Sequence, residues 1–361
     1  MPELGKSWTR TNTGHTEKRI GVSQVGEKQN PIKSSYMSLK PVHIITGFLG
    51  AGKTTFLNHF IKERLPERIL VIENECGATN IDGALIMDGV EEIVELSAGC
   101  LCCSLADGLF DVLQEAHKRR DQYDRMVIET TGIADPSSIM QVFMKHPAVE
   151  KAYELQQVIC LVDADKVEDW LQEAEEALRQ IAVADVLLIN KIDTIEESKL
   201  QNVRSLLSGI NPQARILEGK HGLFALQEIM SAGTVKPEFV EPKSAKSKHH
   251  HHEHGTNNSH KITTFTLSFP HPLDLNPLQL DLNRIVHLYR DQVYRVKGFI
   301  AIPNYPNRVI LQSARSSFVA TDGTPWEDEA NRKGELVFIG RGLKKEVFEK
   351  MFNRHMVAIN T

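Results

Sequence analysis

Residues 46–55 read Thr-Gly-Phe-Leu-Gly-Ala-Gly-Lys-Thr-Thr, and this stretch predicts both a fold and a ligand. Counted from its first glycine, it fits the phosphate-loop pattern G-x-x-x-x-G-K-[ST]. An apolar, β-branched run at 42–45 precedes it and predicts a buried strand, while residues 55–62 have helical spacing. A strand, a glycine-rich turn and a helix in this order form a nest of backbone N–H groups that holds phosphate oxygens.

The loop residues expected to contact a bound nucleotide are Gly47, Gly50, Ala51, Gly52, Lys53, Thr54 and Thr55. Glycine is needed where the backbone takes unusual angles or approaches the ligand closely. Lys53 is expected to reach the β- and γ-phosphates, which makes it a catalytic candidate. The hydroxyl of Thr54 is expected to bind Mg²⁺.

A second nucleotide motif, Asn190-Lys191-Ile192-Asp193, follows another apolar run. The Asp193 carboxylate can accept hydrogen bonds from N1–H and the 2-amino group of guanine, whereas adenine presents an acceptor at N1 and no 2-amino group. Because an unpaired buried polar group discriminates strongly between ligands, Asp193 favours GTP over ATP. Asn190 and Lys191 are expected to support the base and the loop. An ATP-dependent kinase is the alternative that this motif disfavours.

The segment Glu129-Thr130-Thr131-Gly132 lies where nucleotide hydrolases keep an acidic residue near Mg²⁺. Glu129 is expected to orient Mg²⁺-bound water or the attacking water, and Gly132 to meet the γ-phosphate through its N–H. Asp135, which precedes a proline, fits a helix cap and is expected to be structural.

The composition excludes several classes of protein. The chain has 361 residues, of which 41% are hydrophobic, and this is enough for two domains with apolar cores. A net charge of −5 argues against a nucleic-acid partner. We find no apolar run long enough to span a membrane and no secretory signal, so the cytoplasm is the expected compartment.

Strand-like runs alternate with helical spacing after the phosphate loop, which predicts an α/β domain with a mostly parallel sheet covered on both faces. One long charged helix is expected at 166–181. We expect a disordered N-terminal extension at 1–39, a P-loop GTPase domain at 40–232, a His-rich linker at 233–261 and a small α+β domain at 262–361. The last domain carries no chemical motif, which favours a partner-binding or regulatory role.

Cys100-Leu101-Cys102-Cys103 predicts a metal site. Adjacent cysteines form disulfides only with strain, and thiolates are soft ligands that suit Zn²⁺ or Cu⁺. Three protein ligands with an open fourth position describe a site that can accept and release its metal. The fourth ligand is open between Glu73, Glu75 and His146, and redox chemistry is the alternative role for the thiols.

The predicted linker contains the run His-His-His-His-Glu-His at 249–254. Two interpretations stay open for this run. It is either a flexible arm that gathers metal for the thiol site or an inert solvated linker.

Together, five motifs in this order resemble the CobW family: the phosphate loop, Glu-Asn-Glu at 73–75, Gly-Cys-Leu-Cys-Cys at 99–103, Glu-Thr-Thr-Gly at 129–132 and Asn-Lys-Ile-Asp at 190–193. Members of this family are GTPases that act as metallochaperones and are similar to UreG and HypB. The resemblance covers residues 41–355, so the α+β domain is expected to be of the CobW C-terminal type.

The resemblance implies a slow GTPase whose nucleotide state gates the transfer of Zn²⁺, or of Co²⁺ in some members, to a client metalloprotein. It also implies that the thiol triplet is the metal site and that Glu73 and His146 bind zinc with it. Thr54 and Glu129 would bind magnesium.

A metal-dependent homo-oligomer is a further expectation, with neither nucleic acid nor membrane as a partner. The rival hypothesis is a metal-sensing GTP-binding module with negligible turnover. The sequence departs from the family pattern at Cys76, usually hydrophobic, and at Ala78, usually acidic. A second metal site relying on position 78 is therefore not expected, although Cys76 offers another soft ligand.

Overall fold

The fold is that of a computed structural model, which describes residues 38–73, 90–95, 101–231, 262–314, 317–328 and 332–357. Residues 90–95 and 101–107 are described by their backbone alone. The predicted N-terminal extension, except its last two residues, and the predicted linker lie outside the described residues. The domain boundaries therefore remain predictions.

The N-terminal half alternates strands with helices along the chain. Its elements are β1 (Lys40–Gly47), α1 (Lys53–Glu63), β2 (Ile69–Glu73), β3 (Val90–Glu95), α2 (Leu101–Lys118), β4 (Arg125–Glu129), α3 (Ser137–Lys145), α4 (Pro147–Glu150), β5 (Tyr153–Asp163), α5 (Val167–Glu173), α6 (Glu175–Val183), β6 (Val186–Asn190), α7 (Glu197–Ile210), β7 (Arg215–Glu218) and α8 (Leu226–Ser231). A short 3-10 helix at Ile192–Thr194 follows β6.

The described strands of this half form one parallel sheet in the order β3-β2-β4-β1-β5-β6-β7. Successive side chains of a strand point to opposite faces. Ile44 and Ile128 therefore join a core with α2 and α3, whereas Ile45 and Val127 join a core with α1 and α8. The prediction of a parallel sheet covered on both faces is confirmed. All its strands end at one edge, where parallel sheets bind ligands.

The single helix predicted at 166–181 is wrong, because the chain breaks at Ala174, whose backbone is extended (φ −135°, ψ 118°). The two halves pack against different parts of the molecule. Trp170 of α5 lies against Phe48 of the phosphate loop, with 4.8 Å between ring centroids, whereas α6 packs on the strand Val293–Ile300 of the second sheet. A straight helix would not satisfy both contacts, and the local sequence carries no sign of this tertiary requirement.

In its described residues, the C-terminal half is an antiparallel sheet with two helices. Its elements are β8 (Ile262–Phe269), α9 (Leu275–Leu288), β9 (Val293–Ile300), β10 (Asn307–Ala314), β11 (Ser317–Pro325), β12 (Gly334–Arg341) and α10 (Lys345–Asn353). The strand order is β11-β10-β9-β12-β8. Phe338 of the sheet packs against Phe348 and Phe352 of α10 in a buried aromatic core. The predicted small α+β architecture is confirmed.

The opposite face of this second sheet packs on the first domain. Val337 and Ile339 of β12 share a buried cluster with Leu207 of α7. Asp185, just before β6, accepts hydrogen bonds from Arg295 at 2.6 Å and Lys297 at 2.8 Å. Apolar burial and a charged cluster thus join the two sheets. Among the described helices, none is both long and apolar enough to cross a bilayer.

Candidate functional site

The phosphate loop links β1 to α1 in the geometry that its glycines were predicted to allow. Gly47 has φ 138°, and a Cβ there would lie 2.3 Å from the Leu161 carbonyl oxygen. Gly52 has φ 99°, and a Cβ there would lie 2.4 Å from Asn190 Nδ2. Both positions combine left-handed backbone with close packing, so only glycine fits them. The loop presents its backbone at the carboxyl edge of the sheet.

Lys53 opens α1 and bends back toward the loop that it follows. Its Nζ lies 3.4 Å from the Phe48 carbonyl oxygen, and the side chain is buried. Burial lowers the pKa of this ammonium group, and the nearby Glu129 carboxylate partly opposes that shift. The hydrogen bond that this buried ammonium group makes is a long one to a carbonyl oxygen. An anionic ligand in the phosphate loop would therefore stabilise its charged form.

The two residues predicted to hold Mg²⁺ lie in contact. Thr54 Oγ1 donates to Glu129 Oε1 at 3.0 Å. Glu129 is the last residue of β4, and its backbone is in register with Ile45, just before the phosphate loop. A hydroxyl and a carboxylate are hard oxygen donors, which Mg²⁺ prefers, so this pair fits that ion.

Residues 130–136, here called the Gly132 loop, connect β4 to α3 and lie against the phosphate loop. A Cβ on Gly132 would come within 2.7 Å of the Leu49 backbone nitrogen. At the start of the Gly132 loop, the Thr130 hydroxyl donates to the Thr46 hydroxyl at 2.9 Å. The two loops therefore share a polar contact and a close backbone approach.

Asp135 of the Gly132 loop has the structural role predicted for it. Its Oδ1 accepts from the Ser137 backbone N–H at 2.9 Å, at the start of α3. Its Oδ2 also pairs with Arg179 of α6 at 3.3 Å. The second contact was not predicted, because its partner is distant in sequence.

Asn190 fastens the phosphate loop to a further loop after β7. Its Nδ2 donates to the Ala51 carbonyl oxygen at 2.9 Å, and its Oδ1 accepts from the Gly222 N–H at 3.1 Å. The side chain is 2% exposed. Asn190 therefore supports the loop, as its position after a buried strand suggested.

The other two residues of this motif lie beside charged neighbours. Lys191 has left-handed backbone (φ 61°), and its Nζ lies 2.6 Å from Asp163 Oδ2 at the end of β5. Asp193 is partly exposed, with its Oδ2 3.7 Å from His221 Nε2. His221 was missed by the sequence analysis, because a single histidine outside a recognised motif gives no signal.

The predicted zinc ligands are only partly described. Cys100 and Glu75 lie outside the described residues, as do the side chains of Cys102 and Cys103, whose backbone forms the first turn of α2. Among the residues that the structure describes, no group of three or more His, Cys, Asp or Glu side chains could hold a metal. The thiol site therefore stays a prediction.

The two predicted non-thiol ligands lie on different elements. Glu73 is buried at the end of β2, and its backbone is in register with that of Glu129 on the neighbouring strand. His146 packs against Phe110 of α2, with 4.1 Å between the ring centroids and 36° between the ring planes. Its buried Nδ1 has no hydrogen-bond partner among the residues that the structure describes. Phe110 follows Cys103 by seven residues in α2, which corresponds to about 10 Å along the helix axis at a rise of 1.5 Å per residue.

A glycine-rich phosphate loop on a parallel sheet, with an Asn-Lys-x-Asp motif two strands away, defines a P-loop nucleotide-binding protein. Residues 41–218 match the family model described as CobW/HypB/UreG, nucleotide-binding domain. Residues 262–356 match the model of the cobalamin synthesis protein cobW C-terminal domain. The chain belongs to the CobW family.

Relatives extend this similarity over most of the chain. The zinc chaperone YjiA of Escherichia coli is 34% identical over 316 residues, covering 86% of this chain and 97% of that protein. The zinc chaperone CobW of Pseudomonas aeruginosa is 31% identical over 350 residues, covering 88% and 91%. The crystal structure of the Zn(II)-bound YjiA GTPase from E. coli superposes with a TM-score of 0.65 at 27% identity, covering 89% of this chain and 100% of that one.

Proposed function

We propose that this protein is a GTP-hydrolysing metallochaperone that binds Zn²⁺ at Cys100, Cys102 and Cys103 and passes it to a client protein under nucleotide control. The observation that carries the proposal is the convergence of the phosphate loop, the Thr54–Glu129 hydrogen bond and the Asn190 clamp on one edge of the sheet. The relatives named zinc chaperones support the metal and its transfer.

Nucleotide binding follows from this edge. The backbone N–H groups of the phosphate loop and the positive end of α1 would bind the phosphates, and Lys53 would bridge to the γ-phosphate. Bound Mg²⁺ would neutralise charge on the phosphates, with Thr54 and Glu129 as its protein ligands. Glu129 would also orient the attacking water, and the N–H of Gly132 would stabilise charge on the γ-phosphate oxygens.

Guanine recognition is assigned to Asp193. Its partial exposure leaves the carboxylate open to a base, and the His221 ring nitrogen Nε2 lies 3.7 Å from it. Two hydrogen bonds from guanine would satisfy the carboxylate, whereas adenine would leave it unpaired. Lys191, whose Nζ lies 2.6 Å from Asp163 Oδ2, would support the base.

The pairing of β2 with β4 supports coupling between the metal site and the nucleotide site. Glu73 ends β2 in register with Glu129, and the chain continues from Glu73 toward the thiol segment. A change in the backbone near Glu129 on GTP binding would therefore reach a predicted zinc ligand through one strand pair. Zinc is the cargo, and its affinity must differ between nucleotide states for the nucleotide to control it.

The test is steady-state GTP turnover by the reduced full-length chain, with and without Zn²⁺. We expect turnover above the buffer blank and at least tenfold preference for GTP over ATP. Asp193→Ala should remove that preference, whereas Asp291→Ala, which alters an exposed carboxylate of the C-terminal half, should keep it. No turnover in either condition would favour the metal-sensing binding module, and tighter Co²⁺ than Zn²⁺ binding would reassign the cargo.

A further inference from the structure

Helix α6 holds the Gly132 loop through a buried glutamine. Gln180 is fully buried, and its Nε2 donates to the carbonyl oxygens of Gly132 and Ala134, each at 3.0 Å. Two hydrogen bonds from one amide group orient both peptide units. A peptide unit is planar, so fixing its carbonyl group also fixes the N–H group of the next residue. Gln180 therefore limits the orientation of the backbone around Gly132.

The neighbouring residue of α6 holds the same loop from outside. Arg179 pairs with Asp135 at 3.3 Å and with Glu175, one helical turn earlier, at 2.8 Å. Side-chain exposure is 21% for Arg179 and 15% for Asp135, so solvent weakens this pair less than an exposed one. The Gly132 loop is thus bound to α6 at three of its residues.

Glu175 then connects α6 to the C-terminal sheet. Its Oε1 accepts from the Tyr294 hydroxyl of β9 at 2.9 Å, and its Oε2 pairs with Arg341 of β12 at 3.3 Å. The Arg179 guanidinium also lies over the Tyr294 ring, 5.0 Å from its centroid. Direct contacts therefore run from the Gly132 loop through α6 to the second sheet. We name Gln180, Arg179 and Glu175 the α6 relay.

Docking of the two sheets does not depend on this relay alone. Asp185 binds Arg295 and Lys297 at the opposite end of β6 from Asn190, away from the nucleotide edge. Val337 and Ile339 bury apolar surface between the sheets. The relay is therefore an additional set of contacts, and it connects the Gly132 loop to β9 and β12.

We propose that the α6 relay consists of positioning residues, which hold the Gly132 loop for the γ-phosphate and link its position to Tyr294. This inference rests on the proposed function, because only a nucleotide with a γ-phosphate would distinguish positions of the loop. By thermodynamic reciprocity, whatever shifts Tyr294 would alter GTP affinity, and GTP would alter the second sheet.

The test compares Tyr294→Phe, which removes only the hydroxyl, with Tyr305→Phe as a matched control. The Tyr305 hydroxyl bonds to Asp322 within the C-terminal half. Affinities of the full-length chain for fluorescent GDP and for a fluorescent non-hydrolysable GTP analogue are measured for each variant. Tyr294→Phe should weaken the GTP analogue about three- to tenfold, the range of one hydrogen bond, and change GDP less than twofold. Tyr305→Phe should change neither.

A double variant separates a relay from independent contacts. Glu175→Gln weakens the same Tyr294–Glu175 hydrogen bond that Tyr294→Phe removes, together with the Glu175 ion pairs to Arg179 and Arg341. Because the two substitutions share that bond, the double variant should have less effect on the GTP-analogue affinity than the product of the single effects. Equal loss of GDP and GTP-analogue affinity in Tyr294→Phe, no loss at all, or multiplicative effects in the double variant would overturn the relay.

Nucleotide binding and turnover of the wild-type chain distinguish a failure of the proposed function from a failure of the α6 relay. If it binds neither guanine nucleotide, the proposed function and the relay fall together. If it binds and hydrolyses GTP while Tyr294→Phe keeps the wild-type ratio of GTP-analogue to GDP affinity, the proposed function stands and the relay alone is refuted.

Discussion

Asn190→Ala should damage stability and nucleotide binding together. The substitution removes two hydrogen bonds, to the Ala51 carbonyl oxygen at 2.9 Å and from the Gly222 N–H at 3.1 Å. Each lost partner leaves a buried polar group, which costs about 1–3 kcal/mol. We therefore expect the free energy of unfolding to fall by about 2–5 kcal/mol, within the stability of an ordinary domain. The freed phosphate loop should bind GDP at least about tenfold more weakly.

Denaturant unfolding without ligand and GDP titration measure the two effects. Asn211→Ala is the matched control, because Asn211 is also a buried asparagine. It donates to the carbonyl oxygens of Ile181 at 2.9 Å, Ala182 at 3.1 Å and Ala184 at 2.9 Å, and it contacts no part of the phosphate loop. This control should lose similar stability and keep its GDP affinity within about twofold. If Asn190→Ala keeps its GDP affinity as well, the clamp is structural only.

Three further predictions concern buried groups that are not among the proposed nucleotide ligands. Burial, with Arg125 nearby, lowers the pKa of His43 from 6.5 to about 3, so the unfolded chain binds a proton that the folded chain excludes, and stability should fall by about 2 kcal/mol between pH 7 and pH 5. Urea unfolding at both pH values should show this slope in the wild type and a flatter one in His43→Gln. Burial raises the pKa of the Cys160 thiol to about 12, so a thiol reagent should modify it only after unfolding, and modification in the native state by mass spectrometry would contradict its burial. Asp185→Ala leaves the buried Arg295 without its carboxylate and should lower the free energy of unfolding by about 3–5 kcal/mol, and an unchanged denaturation midpoint would show that the pair contributes nothing to stability.

Local patterns were sufficient for the elements that carry the nucleotide site. The glycine spacing of the phosphate loop and the apolar runs before it and before Asn190 predicted strands and helices that the structure contains. These predictions succeeded because strand periodicity and turn chemistry are properties of neighbouring residues.

Contacts between residues far apart in the sequence could not be predicted from local patterns. The break at Ala174 is imposed by partners of α5 and α6 elsewhere in the chain. Gln180 gave no signal, because one glutamine in an amphipathic helix resembles any other surface position, and its acceptors lie 48 and 46 residues earlier. The order of the strands, which places Glu73 beside Glu129, likewise has no local signature.

Zinc affinity in the two nucleotide states is the most direct test of the proposed metallochaperone. Chelator competition on the reduced full-length chain, loaded with GDP or with a non-hydrolysable GTP analogue, measures it. We expect the affinities to differ by at least about fivefold, the lower end of allosteric coupling. Cys102→Ser should remove the difference, and Cys160→Ala should retain it. Equal zinc affinities in both states would contradict nucleotide control and leave a GTPase with a structural or storage metal.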